Sequence, residues 1–391
     1  MPPPTRLLQP FKVPIKLLMG PGPSNMREGV RAALNAPLLG HLHTEFTDIM
    51  DDVKSGLQYL FQTNNSLTFA VSGTGHAGME CALMNLLERD ETLLVVQNGI
   101  WGLRVADLAK RLDLQVKVLN AEVGKAASLE EFSQAIDDFK PKVAFVCHGE
   151  SSTGVMHPLD GFGDVCHKNG TLLLVDTVAS IGGAPFHADK LGVDCVYAAT
   201  QKVLNAPPGL SPISFSEMAL NKIKQRKTRV PSFYFDALEL GNYWGCFDEP
   251  RRYHHTGIIS LVYALREALV GIAQEGLNEC VARHQQNAKI LYSALDEVGL
   301  KPFVEDPALR LPCLTTIAVP PNIQPKEVID HLMAQKIEVS GGLGPTFGKV
   351  WRIGTFGINS DRDKILEVIL ALDEAIKSAS GLADKKTAAR I

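Results

Sequence analysis

The sequence has little that would tie the protein to nucleic acid, a membrane or a metal. Its 391 residues carry a formal net charge of -4, and without a basic excess we expect no nucleic-acid partner. The best candidate for a membrane span, residues 257–273, has Arg266 and Glu267 in its middle, so we predict a buried helix and no membrane partner. The seven cysteines form no CxxC pair and no zinc spacing. We therefore predict no metal, and thiols that are small core residues in a reducing compartment.

Acidic residues are missing before Glu28, which raises the question of a mitochondrial presequence. Prolines in the first 23 residues would break the amphipathic helix that such a signal needs, so an extended arm over residues 1–24 is the preferred prediction. The last three residues, Ala389-Arg390-Ile391, follow the small–basic–aliphatic pattern of the peroxisomal SKL address. We expect a peroxisomal location, with a cytoplasmic or mitochondrial one and a frayed tail as the alternatives.

Short β-rich runs alternate with helical segments between about residues 66 and 216. The runs are apolar without alternation, which is typical of strands covered on both faces, so we predict an α/β fold with a mostly parallel sheet between helices. Seven runs carry this prediction: SLTFAVS, TLLVVQ, QVKVLN, KVAFVCHG, TLLLVDTV, CVYAAT and PISFS.

A second, smaller α/β unit follows a helical stretch at 258–298. It comprises a strand at 313–320, a helix at 327–335, a strand at 350–357 and a final helix. The last helix is predicted to start at Ser360, with Asp363 completing a capping box. These patterns predict an arm (1–24), a large domain (25–280) and a small C-terminal domain (281–391).

A glycine-rich loop, SGTGHAG (72–78), follows a predicted strand and opens a helix. Its glycines match GxGxxG, the dinucleotide fingerprint, but that motif needs an acid at the end of the next strand. Asn98-Gly99 stand there instead, which disfavours a dinucleotide. We predict that the helix N-terminus binds a phosphate, with Thr74 and His76 as side-chain donors. A tight turn without a ligand is the alternative.

Two charged residues end strands that belong to the same predicted sheet. Asp176 ends TLLLVDTV, and Lys202 follows CVYAAT. A salt bridge would explain both, and a buried carboxylate needs a partner in any case. However, the phosphate loop and a hydroxyl-rich loop, HGESSTG (148–154), reach the same edge. Pyridoxal phosphate uses all four kinds of group: a phosphate cradle, an amine, hydroxyls and a carboxylate for its ring nitrogen.

With these motifs in order, the chain resembles the alanine–glyoxylate (serine–pyruvate) aminotransferases, class V members of the fold-type-I pyridoxal-phosphate enzymes. The resemblance runs nearly end to end. It is carried by MGPGPSN (19–25), SGTGHAGMEC (72–81), NGIWG (98–102), HGESSTG (148–154), VDTVAS (175–180), QKVLNAPPG (201–209), YHHT (253–256), GGLGP (341–345) and RIG (352–354).

The resemblance implies a role for each matching residue. Lys202 would form the Schiff base and move the proton, Asp176 would pair with the pyridinium nitrogen, and Arg352 would clamp the substrate carboxylate. Trp101 would stack on one face of the cofactor ring, and Val178 would pack against the opposite face of that ring. The remaining residues implied in cofactor binding are Thr74 (where the family usually has serine), Gly75, His76 and Gln201 at the phosphate and Ser151 at the ring oxygen.

Four further residues are implied to act between subunits of a homodimer with shared active sites. Tyr253 and Thr256 would reach the phosphate of the neighbouring subunit, and Gly40 and His41 would line its substrate pocket. Relatives that act on hydroxykynurenine carry a Ser-Asn pair at that last position, whereas Gly-His resembles the alanine–glyoxylate type.

The activity implied by the resemblance is a ping-pong transamination in which L-alanine and glyoxylate give pyruvate and glycine. A serine–pyruvate or 3-hydroxykynurenine transaminase is the alternative within the class. A cysteine desulfurase shares the fold but would need a cysteine on a mobile loop and a histidine in place of Trp101.

Overall fold

The computed structural model of the protein describes residues 1–380. The predicted peroxisomal address at Ala389-Arg390-Ile391 lies outside the described residues and stays a prediction. The strands, in chain order, are β1 (Leu17–Leu18), β2 (Leu67–Ser72), β3 (Thr92–Gln97), β4 (Gln115–Asn120), β5 (Val143–Cys147), β6 (Gly149–Glu150), β7 (Val155–Met156), β8 (Leu172–Asp176), β9 (Cys195–Tyr197), β10 (Leu210–Phe215), β11 (Leu314–Ala318), β12 (Ile337–Glu338), β13 (Ser340–Gly341) and β14 (Val350–Gly354).

The helices belong to the same described stretch and mostly separate these strands. They are α1 (Glu28–Ala33), α2 (Thr44–Phe61), α3 (Gly75–Leu86), α4 (Ile100–Arg111), α5 (Leu129–Phe139), α6 (Phe162–Lys168), α7 (Glu217–Lys224), α8 (Ala237–Tyr243), α9 (Ile259–Glu275), α10 (Leu277–Glu297), α11 (Pro325–Ala334) and α12 (Arg362–Ala379).

The central sheet has seven strands in the order β2-β10-β9-β8-β5-β3-β4. Only β10 is antiparallel to its neighbours in this sheet, so the predicted mostly parallel α/β sheet is confirmed. Strands β2, β5, β8 and β10 are buried at every residue. The edge strand β4 is half-exposed and its sequence QVKVLN alternates, so the prediction of a strand covered on both faces was wrong for this one run.

The strand order brings the carboxyl ends of β2, β3, β5, β8 and β9 to one edge of the sheet. Ligands of open α/β sheets bind outside this edge, because the connecting loops diverge there and leave a crevice. Nine of the predicted site residues end these five strands or follow them in the chain.

A second hydrophobic core surrounds the small sheet β11-β14-β13. Helices α10, α11 and α12 supply apolar side chains to it, and Met19 joins them because β1 pairs in parallel with β12. Helix α10 crosses the predicted boundary at 280/281: Cys280 packs in the large core and Leu291 in the small one. The domain boundaries stay a prediction.

The start predicted for the last helix was wrong. Helix α12 begins at Arg362, and Asp361 is its N-cap, since Oδ1 accepts hydrogen bonds from the backbone N–H of Asp363 and of Lys364, each at 3.1 Å. Ser360 is 2% exposed and its Oγ accepts a hydrogen bond from Asn287 Nδ2 at 3.1 Å. A tertiary contact therefore occupies the hydroxyl that the local pattern assigned to capping.

The apolar run at 257–273 forms most of helix α9. Its apolar side chains pack in the large core, while Arg266 reaches the surface and pairs with Asp52 and Glu267. Along residues 1–380, none of the helices combines the length and the apolar character that crossing a membrane requires.

Candidate active site

A cavity of about 280 Å³ opens at the carboxyl edge of the central sheet. It is at the small end of the size range of small-molecule sites. Nine of the residues predicted from the sequence line it: Thr74, Gly75, His76, Trp101, Ser151, Asp176, Val178, Gln201 and Lys202.

The glycine loop forms one wall. Helix α3 starts at Gly75, and within the described residues no side chain caps its N-terminus, so its first amide groups are available to an anion. Gly73 has a φ of 153°, a conformation that favours glycine. A Cβ atom at Gly78 would clash with Ser211 of β10, so this glycine serves close packing of helix against strand. The GxGxxG spacing is thus explained without a dinucleotide.

His76 lies beside the cavity as a neutral imidazole. Burial, and then the charge of Arg104, lower the pKa of His76. Arg104 Nη1 donates to His76 Nε2 at 3.1 Å, and the imidazole meets the indole of Trp101 edge-on with 5.7 Å between ring centroids.

Asp176 is a carboxylate at the floor of the cavity, 3% exposed. Its Oδ1 accepts from the Val178 N–H at 2.8 Å and its Oδ2 from the Tyr197 hydroxyl at 2.7 Å. Burial raises the pKa of Asp176 to about 6, while the two hydrogen bonds and the charge of Lys202 act in the opposite direction. Asp176 is therefore mostly ionised at neutral pH.

Lys202 reaches the same cavity from the segment after β9. Its Nζ donates to the carbonyl oxygen of Pro21 and lies 5.6 Å from the centroid of the Phe356 ring. Gly22, with a φ of 100°, leaves space for it, since a Cβ atom there would overlap Nζ. Burial, and then the positive charge of Arg352, lower the pKa of Lys202 to about 8. A sizeable share of this amine is neutral near physiological pH.

Arg352 lies on β14 of the small sheet and is 7% exposed. Its Nε donates to the carbonyl of Gly341 at 2.8 Å and its Nη1 to the carbonyl of Ser151 at 3.2 Å. Neither bond uses Nη2. Burial lowers the pKa of Arg352, but a guanidinium stays charged, so the group remains a fork of donors with a free arm.

The structure places five predicted residues outside the lining of the cavity. They are Arg352 on β14 and, from the large domain, Gly40, His41, Tyr253 and Thr256. The rings of His41 and Tyr253 are in contact, with 5.1 Å between centroids, and Tyr253 is 57% exposed. His41 and Tyr253 therefore contact each other within one chain.

Sequence reasoning missed three groups around the site. Tyr197 bonds to Asp176, and pairing of β8 with β9 sets the two residues opposite each other. Glu150 and Glu338 are carboxylates near Arg352, which they affect electrostatically. A tyrosine at the end of a strand beside Asp176 was a usable signal for Tyr197, whereas nothing local distinguished Glu150 or Glu338.

The site and the fold together define an aminotransferase. The family described as "Aminotransferase class-V" matches residues 31–365. The chain belongs to this family, and the resemblance noted from its motifs is confirmed.

Two relatives and one solved structure of 44% identity or more share one name. The chain is 47% identical to the alanine–glyoxylate aminotransferase of Callithrix jacchus over 96% of this chain and 91% of the relative. It is 45% identical to that of Drosophila melanogaster over 97% of both chains. The crystal structure of the alanine–glyoxylate aminotransferase from Nostoc sp. superposes with a TM-score of 0.92 at 44% identity, covering 94% of this chain and 97% of that one.

Proposed function

We propose that this aminotransferase uses pyridoxal phosphate to convert L-alanine and glyoxylate into pyruvate and glycine. The observation that carries the proposal is the single cavity in which Lys202, Asp176 and the free N-terminus of helix α3 meet. The alanine–glyoxylate specificity rests on the names of relatives that are 47% and 45% identical over nearly the whole chain, since the (S)-ureidoglycine–glyoxylate transaminase of Bacillus subtilis is only 32% identical.

The donor set fits pyridoxal phosphate in charge and in shape. The uncapped amides of Gly75 and His76 suit a phosphate, and the indole of Trp101 offers a flat apolar face for a ring. Asp176 already accepts two hydrogen bonds and remains ionised, as needed beside a protonated ring nitrogen. A positive nitrogen there would offset the rise that burial causes in the pKa of Asp176.

When bound, pyridoxal phosphate supplies an aldehyde that accepts an amino group and a ring that takes up an electron pair from the substrate. The neutral amine of Lys202 would hold the aldehyde carbon until the amino group of the substrate replaces it there. The released amine would then take the proton from the alpha carbon of the substrate, a role for which a pKa of about 8 is suited. Arg352 would receive the substrate carboxylate on its free arm and fix the alpha carbon near Lys202.

We further propose a homodimer with shared active sites. Several large apolar side chains of the N-terminal arm are exposed, among them Leu7 (78%), Phe11 (93%) and Ile15 (88%). Such an arm is better covered by a second chain than by water. Tyr253 and Thr256 are exposed on the chain and are available to a neighbour's cavity.

A cysteine desulfurase is disfavoured by the state of the thiols. All seven cysteines are buried. Burial raises the pKa of Cys313, which lies close enough to Lys202 for their charges to interact. Its Sγ donates to the carbonyl of Ala179 at 2.8 Å, which disfavours a thiolate nucleophile.

The test is half-reaction spectroscopy on the protein loaded with pyridoxal phosphate. L-Alanine should bleach the visible absorbance of the cofactor, and glyoxylate should restore it. L-Serine and 3-hydroxykynurenine are compared at the same concentration, and faster bleaching by either would assign the protein to that alternative. Lys202→Ala serves as the control that binds cofactor without turnover. Cofactor uptake without any bleaching would contradict the proposal.

A further inference from the structure

Glu150 is a buried carboxylate that the reaction described above does not use. It lies on β6, is 0% exposed, and stands next to Ser151 in the wall of the cavity. Burial raises the pKa of Glu150 to about 7, and three hydrogen bonds from its neighbours act against that rise. Burying a carboxylate costs free energy, and these hydrogen bonds offset part of that cost. A carboxylate kept in such a place therefore suggests a role for its two acceptor oxygens.

The hydrogen bonds of Glu150 hold the start of helix α4. Oε2 accepts from the backbone N–H of Trp101 at 3.1 Å. Oε1 accepts from the N–H of Ser152 at 2.9 Å and from its hydroxyl at 2.7 Å. The Oγ of Ser152 in turn accepts from the N–H of Ile100 at 3.1 Å.

Helix α4 is thus capped from a different part of the chain. Its own N-cap residue is Gly99, which has no side chain to accept the first amides. Gly99 is also required for the contact, because a Cβ atom there would overlap the Glu150 carboxyl. Acceptor oxygens at a helix N-terminus satisfy its free amides, so the pair Glu150–Ser152 does what a local capping residue would do.

Trp101 is consequently held at its backbone and at its indole by two consecutive residues. Glu150 Oε2 accepts a hydrogen bond from the backbone N–H of Trp101, and Ser151 Oγ accepts one from its indole Nε1 at 2.8 Å. Together these two bonds leave the indole little freedom to turn away from the cavity that it lines.

We infer that Glu150 is a positioning residue that fixes the indole of Trp101 for cofactor binding. Glu150 affects the cofactor by positioning Trp101 and does not itself need to contact the cofactor. The inference rests on the proposed function for the identity of the cofactor, but the geometry that it describes exists in the apoprotein.

The experiment is a double-mutant cycle with Glu150→Gln and Trp101→Ala, read out as the Kd of pyridoxal phosphate for the apoprotein. Glutamine keeps the shape, but its single acceptor oxygen cannot serve all three donors. We expect Glu150→Gln to raise Kd by about tenfold in the presence of Trp101 and by less than about twofold in the Trp101→Ala background. An equal rise in both backgrounds would overturn the inference, since a merely structural role adds independently.

A second readout needs no cofactor. The near-ultraviolet circular dichroism of Trp101 is obtained as the difference between apoprotein with and without Trp101→Ala, since the chain has three tryptophans. Glu150→Gln should diminish this difference signal, and an unchanged signal would contradict the inference. If the apoprotein takes up no pyridoxal phosphate, the proposed function fails while this measurement still decides the role of Glu150.

The matched control is Asp194→Asn. Asp194 is also a buried carboxylate, 1% exposed, which accepts from the Leu173 N–H and from Ser216 Oγ at 2.8 Å each. Asp194→Asn should lower the free energy of unfolding without changing the circular dichroism signal of Trp101.

If Glu150→Gln does not fold, Ser152→Ala is the alternative variant. It removes one donor to Glu150 and the acceptor of the Ile100 N–H. Ser152→Ala should raise Kd in the presence of Trp101 by a smaller factor than Glu150→Gln, and should leave Kd nearly unchanged in the Trp101→Ala background.

Discussion

At the scale of single residues, the site depends on charged groups whose pKa values are shifted toward each other. Burial and Arg352 lower the pKa of Lys202, while burial raises that of Asp176. An amine that is partly neutral thus stands beside a carboxylate that is mostly ionised. Such pairs are frequent at functional sites because proton transfer needs both states near working pH.

The first prediction concerns the uptake of pyridoxal phosphate by the apoprotein. Only the neutral amine reacts, and the pKa of Lys202 is lowered to about 8. The rate constant of uptake should therefore rise about tenfold per pH unit below that value and level off above it. Stopped-flow absorbance from about pH 7 to 10 measures this, a range in which Asp176 is already ionised.

Lys202→Ala corrects that measurement for reaction at surface lysines. A rate that still climbs at about pH 10 would mean that Lys202 has the pKa of an exposed lysine. The lowered pKa, and with it the role of the residue as a base at neutral pH, would then be wrong.

Arg352→Lys separates charge from geometry. The lysine keeps a positive charge but cannot offer a planar fork to a carboxylate. We expect KM for both L-alanine and glyoxylate to rise about 10- to 100-fold, with a smaller change in kcat, since a charge-assisted hydrogen bond is lost. Steady-state kinetics measure this, with Arg362→Lys as the control, because Arg362 is a surface residue paired with Asp363. An unchanged KM would mean that a residue other than Arg352 binds the substrate carboxylate.

At the scale of elements, helix starts show which parts of the fold follow from local sequence. Helix α3 begins where the glycine loop predicts, because Gly73 adopts a conformation that other residues resist. Helix α12 begins at Arg362 and not at Ser360, since Ser360 is bound by Asn287 of another helix. Helix α4 has no cap in its own sequence and takes one from Glu150 and Ser152. Local patterns therefore predict a helix more reliably than its cap.

The cap of α12 can be tested directly. Asp361→Ala should lower the free energy of unfolding by about 1 kcal/mol, because two backbone amides lose their acceptor. Asp363→Ala, which removes a first-turn charge but no capping bond, should cost about 0.5 kcal/mol or less. Urea unfolding of the two variants measures the difference. A larger loss for Asp363→Ala would restore the capping box predicted from the sequence.

At the scale of the whole molecule, we propose that four predicted residues act in the active site of a second chain. Gly40, His41, Tyr253 and Thr256 lie outside the cavity of their own chain. If they act on a neighbour, each active site combines Lys202 of one chain with Tyr253 of another, as a two-fold symmetric interface allows.

Mixing two inactive variants tests this arrangement. Lys202→Ala and the double variant Tyr253→Ala, Thr256→Ala are unfolded together, refolded with cofactor and assayed. In the mixed dimer one site carries both defects and the other carries neither, so random pairing should restore about one site in four. Each variant refolded alone is the control. Activity no higher than the sum of the controls would mean that Tyr253 and Thr256 serve their own chain or no site at all.

The sequence alone determined the sheet, the order of its elements and nine residues of the cavity. Apolar runs predict buried parallel strands, and the carboxyl ends of such strands share one edge, which brings the glycine loop, Asp176 and Lys202 together. Trp101, Val178 and Gln201 were implied by the family resemblance. Only the tertiary structure decided the hydrogen bonds between elements: Tyr197 with Asp176, Glu150 with Trp101 and Ser360 with Asn287. The physical reason is that a buried polar group must find a partner wherever packing brings one, and packing joins residues far apart in sequence.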